Sequence, residues 1–181
     1  MKTKVTLKKI IHARNLSKET NAFTADVYID GKKTAQAEND GWGGETMVDA
    51  IGKIVDGQWN RDPEADERLR KAEEEIRKNE SLPKYLRSID YIVDALVEDD
   101  LQWKDIQKAS RTGKIQYIDG DDIYEAKVRY KGKFTEEYYL FLKKSSWWKD
   151  HFILLNELDK ESFIKTLRDH DEKHRAGVQV D

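Results

Sequence analysis

The spacing of apolar residues changes twice along this chain of 181 residues, and that change limits the possible folds more than any other feature. From Lys4 to Ile11 and from Phe23 to Ile29, apolar and polar residues alternate, which is the period of a half-buried β-strand. In the middle of the chain the apolar residues recur every three or four positions, as on one side of a helix. From Gly113 the period returns to two. We therefore predict an α+β fold, with antiparallel strands at both ends and a charged helical middle section.

Residues 1–60 are predicted to form a β-hairpin followed by a helix. Asp30-Gly31 favours the left-handed backbone of a tight turn, so it separates the strand Phe23–Ile29 from a return strand over Lys33–Ala37. A glycine-rich turn, Asp40–Gly44, comes next. The apolar residues beyond it have helical spacing and predict a helix: Met47, Val48, Ile51, Ile54, Val55 and Trp59.

Residues 61–110 are the predicted charged helical segment. Asp62 suits the N-cap and Pro63 the first position of a helix that runs to about Asn79. Its apolar seam is narrow, so we expect this helix to lie on the surface or to project from it: Ala65, Leu69, Ala72 and Ile76. An amphipathic helix from Tyr85 to Val97 and a short helix over Gln102–Ala109 follow.

Residues 111–181 are predicted to form an antiparallel sheet and a C-terminal helix. The alternation and the turn residues predict strands over Lys114–Ile118, Tyr124–Tyr130, Thr135–Leu142 and Phe152–Leu155, with turns at Asp119–Asp121 and Lys131–Lys133. The last helix begins at Asp159 and is expected to fray from about His174. We expect one compact domain, and the strands are compatible with either one sheet or two.

The amino-acid composition limits the cellular compartments and the kinds of site that we expect for this protein. Cysteine is absent, which excludes disulfides, thiolate metal sites and a cysteine nucleophile, and which suits a reducing compartment. No stretch approaches the roughly 18 apolar residues of a membrane span, and the basic N-terminus lacks the apolar run of a signal peptide. We therefore expect a location in the cytoplasm, without contact with a membrane.

The charge is unevenly distributed. Residues 62–100 hold 13 acids and 7 bases, whereas residues 104–150 hold 11 bases and 8 acids. Asp90, Asp94 and Glu98 are four residues apart and form a carboxylate row on one side of a helix. Further candidates for partner binding in this acidic region are Glu73, Glu74, Glu75, Asp99 and Asp100. Such a row can imitate a phosphate strand and occupy a basic channel, or it can be an ordinary solvated helix face.

The basic second half suggests a nucleic-acid-binding module as an alternative. Bases interleaved with aromatic residues can hold phosphates and stack on nucleobases: Lys127, Arg129, Lys131, Lys143, Lys144, Trp147 and Trp148. The opposing interpretation places the tryptophans in the core and the lysines in water. Trp42, Trp147 and Trp148 are equally suited to anchor a protein partner.

Catalytic motifs are weak throughout the sequence. Glu125-Ala126-Lys127 has the Glu-x-Lys spacing of metal-dependent nucleases, but the acids before it, such as Asp119, lie closer than in that family. His170 and His174 share a helix face without the glutamate that a zinc protease requires. The glycine-rich turn matches neither phosphate-binding fingerprint. We expect no catalytic residues, no metal and no cofactor, and the alternative is a metal-dependent nuclease built on Glu125 and Lys127.

The segments Leu16–Lys33 and Asn39–Gly44 resemble the start of small orphan proteins of phages and mobile elements in Gram-positive bacteria. The heavy charge, the size and the lack of cysteine also resemble the type II anti-CRISPR proteins. That resemblance implies a location in the cytoplasm of a bacterial host cell, binding to Cas9 with its guide RNA, and obstruction of DNA recognition or cleavage. In this hypothesis the acidic helices compete for the arginines that read the DNA motif next to a target.

Overall fold

The computed structural model describes residues 3–128 and 134–177, with side chains described as far as residue 173. Strands near both ends and helices between them confirm the α+β prediction. The chain divides into two compact units, Met1–Glu98 and Asp99–Asp181. In the described residues, we find no helix that is both long and apolar enough to span a bilayer.

The first unit contains six strands and a long helix. Its described elements are β1 (Val5–His12), β2 (Phe23–Ile29), β3 (Lys32–Asn39), β4 (Met47–Ala50), β5 (Gly52–Val55), β6 (Gln58–Arg61) and α1 (Pro63–Lys78). A 3-10 turn over Lys84–Leu86 precedes α2 (Ile89–Arg111), which continues into the second unit. The second unit adds β7 (Lys114–Asp119), β8 (Asp122–Lys127), α3 (Glu136–Lys143), β9 (Ile153–Leu154), a 3-10 turn over Leu155–Glu157, and α4 (Lys160–Gly177).

Strands β1 to β4 form an antiparallel sheet in chain order, and α1 packs against one face of it. The alternation in β2 is confirmed, because Phe23, Ala25, Val27 and Ile29 are all buried. Alanines on β3 and β4 continue this face and let the helix approach closely: Ala35, Ala37 and Ala50. The narrow seam of α1 is fully buried, so small side chains on both elements give a tight layer despite the few apolar residues.

The predicted hairpin turn and helix cap are both confirmed. Asp30 and Gly31 have φ angles of 49° and 79°, the left-handed backbone that a tight two-residue hairpin requires. The Asp62 side chain accepts a hydrogen bond from the Ala65 amide at 2.9 Å. This bond satisfies one of the amides that a helix start leaves without an internal partner.

The helix predicted from Met47 to Trp59 is wrong, because this segment forms β4 and the β5–β6 hairpin. Val55 pairs with Gln58 across a turn in which Asp56 and Gly57 have φ angles of 51° and 78°. Aspartate followed by glycine is the signal for such a turn, and it outweighs the accidental helical spacing of the apolar residues. The predicted short helix Gln102–Ala109 is also not separate, since α2 runs through it without a break.

The second unit is built on a three-stranded antiparallel sheet with the order β8-β7-β9. Its core lies on both faces of β7. Ile118 packs with Ile106, Leu155 and Phe163, whereas Ile115 belongs to a separate cluster. That second cluster is completed by Phe134, Leu142 and Leu154.

The strand predicted over Thr135–Leu142 is wrong, because α3 occupies this position. Thr135 caps the helix by accepting a hydrogen bond from the Tyr138 amide, and Glu136 and Glu137 fill the first turn. Acidic residues there favour a helix because they oppose its dipole. The aromatic run that suggested a strand instead distributes its residues around the helix. The predicted turn Lys131–Lys133 lies outside the described residues.

Candidate functional site

The face of the N-terminal sheet opposite α1 carries a groove with a volume of about 580 Å³. Its floor comes from the central strands and includes Asp26 and Gln36. Lys9 and Ile11 line it from β1, and Met47 lines it from β4 at the other edge of the sheet. The β5–β6 hairpin adds a tryptophan, Trp59. The groove therefore combines an apolar border with a charged floor.

Two irregularities in the sheet bring lysines to this face. The β1–β2 register shifts between Lys8 and Ile11, and Lys9 in the bulge has a φ angle of 52°. The β2–β3 register shifts beside Lys33. Strict alternation would place both lysines on the α1 side of the sheet, with Leu7 and Ala35 respectively. Each bulge reverses the side on which a lysine emerges, so both lysines reach the groove.

Asp26 binds both of these lysines from the middle of the floor. Its side chain is buried, with Lys33 Nζ at 2.7 Å from Oδ1 and Lys9 Nζ at 3.5 Å from Oδ2. The hydrogen bond from Lys33, together with the charges of both lysines, lowers the pKa of Asp26 and outweighs the opposing effect of burial. The three side chains fix the polar centre of the groove.

We expect Asp26→Asn to lower the free energy of unfolding by about 2 kcal/mol at neutral pH, because it removes the negative charge that holds Lys33 and Lys9. The pKa of Asp26 is lower in the folded chain than its ordinary value of 3.8. The stabilisation is therefore complete above that value and disappears as the pH falls through the folded pKa. Urea unfolding of both proteins between pH 7 and pH 3 measures the difference.

The matched control for this prediction is Glu38→Gln, on the exposed part of the same face. We expect that exchange to change the free energy of unfolding by less than about 0.5 kcal/mol. A difference between wild type and Asp26→Asn that stays constant down to pH 3 would contradict the assigned role of the Asp26 charge.

The β5–β6 hairpin presents apolar side chains to solvent. Ile54 and Trp59 are cross-strand partners with 72% and 55% of their surface exposed, and Val55 beside them is also exposed. Met47 and Ile11 are exposed at the groove as well. Large apolar side chains that cluster around a groove are typical of surfaces that bind other proteins.

Three residues of the predicted acidic surface form ion pairs with the chain's own basic groups: Glu74, Asp99 and Asp100. Glu74 pairs with Arg70 and Lys78 on α1, and Glu75 accepts a hydrogen bond from Thr3. Asp99 binds Arg168, and Asp100 lies between Lys104 and Lys160. Burial alone would raise the pKa of Asp100, but the hydrogen bonds from its two lysines lower it. Glu73 is half-buried on α1.

The carboxylate row on α2 lies at the other end of this acidic region. Asp90 accepts a hydrogen bond from Ser88, Asp94 from Thr46, and Glu98 from Asn21. These three donors are neutral hydroxyl and amide groups. Because Glu74, Asp99 and Asp100 are ion-paired, an extended imitation of a phosphate strand is less well supported by the structure than by the sequence pattern.

The described members of the predicted basic and aromatic surface have different environments. Lys143 is paired with Glu157 at 2.6 Å, and Lys144 is exposed. Trp148 packs against the Ile115 cluster, whereas Trp147 is partly exposed. Lys127 is exposed on β8, and the two bases predicted beside it, Arg129 and Lys131, lie outside the described residues.

Trp42 is 66% exposed at the tip of the glycine-rich loop between β3 and β4. Three successive backbone amides of this loop already donate to side chains, those of Gly41 to Asn39 Oδ1, of Trp42 to Asp40 Oδ1 and of Gly43 to Thr20 Oγ1. These bonds leave the loop poorly suited to cradle an anion. The exposed indole is better suited to contact a partner.

The catalytic candidates that the structure describes have ordinary surface contacts. Glu125 is exposed and bound to Lys114 at 2.5 Å, and this hydrogen bond lowers the pKa of Glu125. Among the described residues, no group of three or more acidic or histidine side chains is arranged to hold a metal ion. His170 lies within 3.9 Å of Asp171, and the side chain of His174 is outside the described part.

Sequence reasoning missed the groove for identifiable reasons. Asp26 lies on the outward face of an amphipathic strand, a position that a solvated charge normally occupies. Trp59 was assigned to a helical stripe, although the Asp56-Gly57 turn signal was present. The two bulges leave no signal in the alternation pattern.

Comparison with protein-family models, with curated proteins and with solved structures gives no match to this chain.

Proposed function

We propose that this protein works by binding a protein partner through the groove on the open face of its N-terminal sheet. The observation that carries the proposal is the exposed Ile54–Trp59 pair beside a groove of about 580 Å³. Burial of aromatic and aliphatic side chains at the centre of an interface supplies most of its binding energy. Asp26 and its two lysines supply the polar contacts that orient a bound chain.

The partner that we propose is Cas9 loaded with guide RNA, on the basis of the phage-like N-terminal segment and the anti-CRISPR character of the sequence. In this proposal the protein obstructs DNA recognition by occupying a protein surface. Glu74 on α1 is ion-paired, and Asp99 and Asp100 form ion pairs with residues of α4. These pairs favour the occupation of a protein surface over the imitation of a long phosphate strand.

Mixing the full chain with guide-loaded Cas9 tests the proposal. We expect the two proteins to co-elute in size-exclusion chromatography. In a gel-shift assay, the affinity of Cas9 for target DNA should fall at least about tenfold, equivalent to about 1.4 kcal/mol. Glu125→Ala serves as the control, because Glu125 lies on a strand of the second unit and should not affect the complex. The absence of a complex, or unchanged DNA binding, would overturn the assignment to Cas9.

A further inference from the structure

The two bulges of the N-terminal sheet give the groove a feature that regular strand pairing would not provide. Each bulge turns one lysine toward the same aspartate, Lys9 from β1 and Lys33 from β3 toward Asp26. Bulges often re-aim a side chain beside a functional site. Because two separate bulges converge on one carboxylate, the lysine pair is the strongest candidate for a polar contact with a bound partner.

The lysine pair has more positive charge and more hydrogen-bond donors than Asp26 uses. Lys33 Nζ lies 2.7 Å from Asp26 Oδ1, and Lys9 Nζ lies 3.5 Å from Asp26 Oδ2. Two ammonium groups therefore face one carboxylate. Each ammonium has three N–H donors, and the side chains of Lys9 and Lys33 are 78% and 35% exposed. Donors remain for an anion that enters the groove.

The charge of the groove changes sign from β1 to β4. Lys8 pairs with Asp26 in the register of β1 and β2, and its Nζ lies 4.3 Å from the centre of the Tyr28 ring, so it adds positive charge beside the lysine pair. Glu38 and Asp49 line the other side of the groove, on β3 and β4. The groove therefore favours an occupant with one local negative group over an occupant that is negative along its whole length.

The strand register sets the distance from the lysine pair to the apolar side of the groove. Asp26 is aligned with Gln36 and, across the next strand, with Asp49, while Met47 precedes Asp49 by two residues. Two strand spacings across and two residues along the sheet place Met47 about 12 Å from Asp26. Trp59 lines the groove with Met47, and both are more than half exposed. An extended peptide rises about 3.3 Å per residue, so about four residues cover this distance.

We propose that the groove binds an extended segment of the protein partner that contains an acidic residue and a large apolar residue four positions away. The acidic side chain accepts hydrogen bonds from Lys9 and Lys33. The apolar side chain packs on Met47 and Trp59. This inference rests on the proposed function, because it names the chemistry of the segment that the groove receives.

The phosphate of a nucleic acid is the other anion that a lysine pair can bind. A nucleic-acid strand carries a negative charge at every nucleotide. Its neighbouring phosphates would approach Glu38 and Asp49, which line the same groove. A peptide needs only one acidic residue at the lysine pair, so the charge distribution favours a peptide.

Amide NMR titration of the full chain with the peptide acetyl-Glu-Ser-Ala-Ser-Leu-amide tests this inference. We expect saturable shifts at residues 24–26 and at the indole of Trp59. Exchange of the glutamate for glutamine should weaken binding at least about threefold, because the ion pair is lost. The isomer acetyl-Glu-Leu-Ser-Ala-Ser-amide has the same composition with the wrong spacing and should bind more weakly by at least about the same factor.

Two adjacent lysines on β1 provide a matched pair of variants. Lys9→Gln should weaken binding of the glutamate peptide at least about threefold and leave binding of the glutamine peptide unchanged. Lys8→Gln removes the same charge from a residue outside the groove lining and should bind the glutamate peptide as the wild type does. Because Lys9 is mostly exposed, the melting temperature of Lys9→Gln should stay within about 4 °C of the wild type.

Equal binding of the glutamate and glutamine peptides would overturn the inference. Equal weakening by Lys8→Gln and Lys9→Gln would do the same, since it would indicate a diffuse attraction. Tighter binding of decauridylate than of the glutamate peptide, lost in Lys9→Gln, would assign the lysines to phosphate and reject the acidic segment.

The peptide titration and the Cas9 experiment can fail separately. If the Cas9 complex forms but the glutamate peptide does not bind, this inference fails and the proposed function stands. If the glutamate peptide binds in the groove but Cas9 does not bind, the assignment to Cas9 fails and this inference stands.

Discussion

Asn156→Ala is expected to lower the free energy of unfolding by about 3 to 4 kcal/mol, since it removes three side-chain hydrogen bonds from a buried position. Asn156 is 9% exposed. Its Oδ1 accepts a hydrogen bond from the backbone N–H of Gln116 at 2.6 Å. Its Nδ2 donates to Ser110 Oγ at 2.6 Å and to the backbone carbonyl of Lys114 at 3.2 Å. The side chain therefore ties the end of α2 and the start of β7 to the 3-10 turn that follows β9.

The loss of unfolding free energy is large because the groups that bind Asn156 remain buried after the exchange and have no new partner. A buried amide and carbonyl without partners cost more than the hydrogen bonds themselves contribute. Urea unfolding followed by tryptophan fluorescence measures the effect. Tyr139→Phe is the control, because it removes only the hydroxyl that donates to the Asn156 carbonyl and should cost about 1 kcal/mol. A loss below about 1 kcal/mol for Asn156→Ala would show that the turn is held by other contacts.

The double exchange Ile54→Ser with Trp59→Ser is expected to weaken the proposed Cas9 complex at least about 100-fold, or about 2.7 kcal/mol, because both apolar anchors are removed. Both side chains are mainly exposed in the free protein. The free energy of unfolding should therefore change by less than about 1 kcal/mol. Titration calorimetry gives the affinity, and thermal unfolding gives the stability.

Ile123→Ser is the matched control for the hairpin exchange. Ile123 is an exposed isoleucine on β8 in the second unit, so it tests whether removal of any exposed apolar side chain weakens the complex. We expect it to bind as the wild type does. A complex that forms, yet tolerates the loss of both Ile54 and Trp59, would place the interface away from the groove.

The sequence predicted the elements whose local signals agreed with each other. In α1 the Asp62 cap, the proline at the first position and the apolar seam all indicated a helix, and the structure contains it. In β2 the alternation and the Asp30-Gly31 turn agreed in the same way. Agreement between local preference and burial is what makes a segment predictable.

The predictions failed where two signals conflicted. In residues 47–59 the helical spacing of apolar residues opposed an Asp-Gly turn, and pairing with β3 and within the hairpin decided the outcome. In residues 135–142 the aromatic run opposed a threonine cap followed by two glutamates. Tertiary contacts determined which of the two structures formed. The residue pattern of a single segment contains no information about those contacts.

The candidate groove could not be predicted from the alternation of apolar and polar residues, for a related reason. Its floor depends on which side of the sheet each lysine occupies, and the strand pattern assigns Lys9 and Lys33 to the wrong side. Asp26 alone was placed on the correct side by its position in β2. A method that reads only the identity and the spacing of residues therefore recovers the scaffold and misses this polar centre.

The bulge in β1 makes the charge of this surface depend on strand length as well as on residue type. Deletion of Ile10 would restore regular pairing between Lys8 and Ile11, place Lys9 opposite Ala25, and turn this lysine toward the face that α1 covers. A single-codon insertion or deletion could thus add or withdraw a positive charge here while every other residue stayed the same. Related proteins that differ in the charge of this surface would then show a gap within a strand when their sequences are aligned. Such a gap is usually taken as a sign that the strand is disrupted.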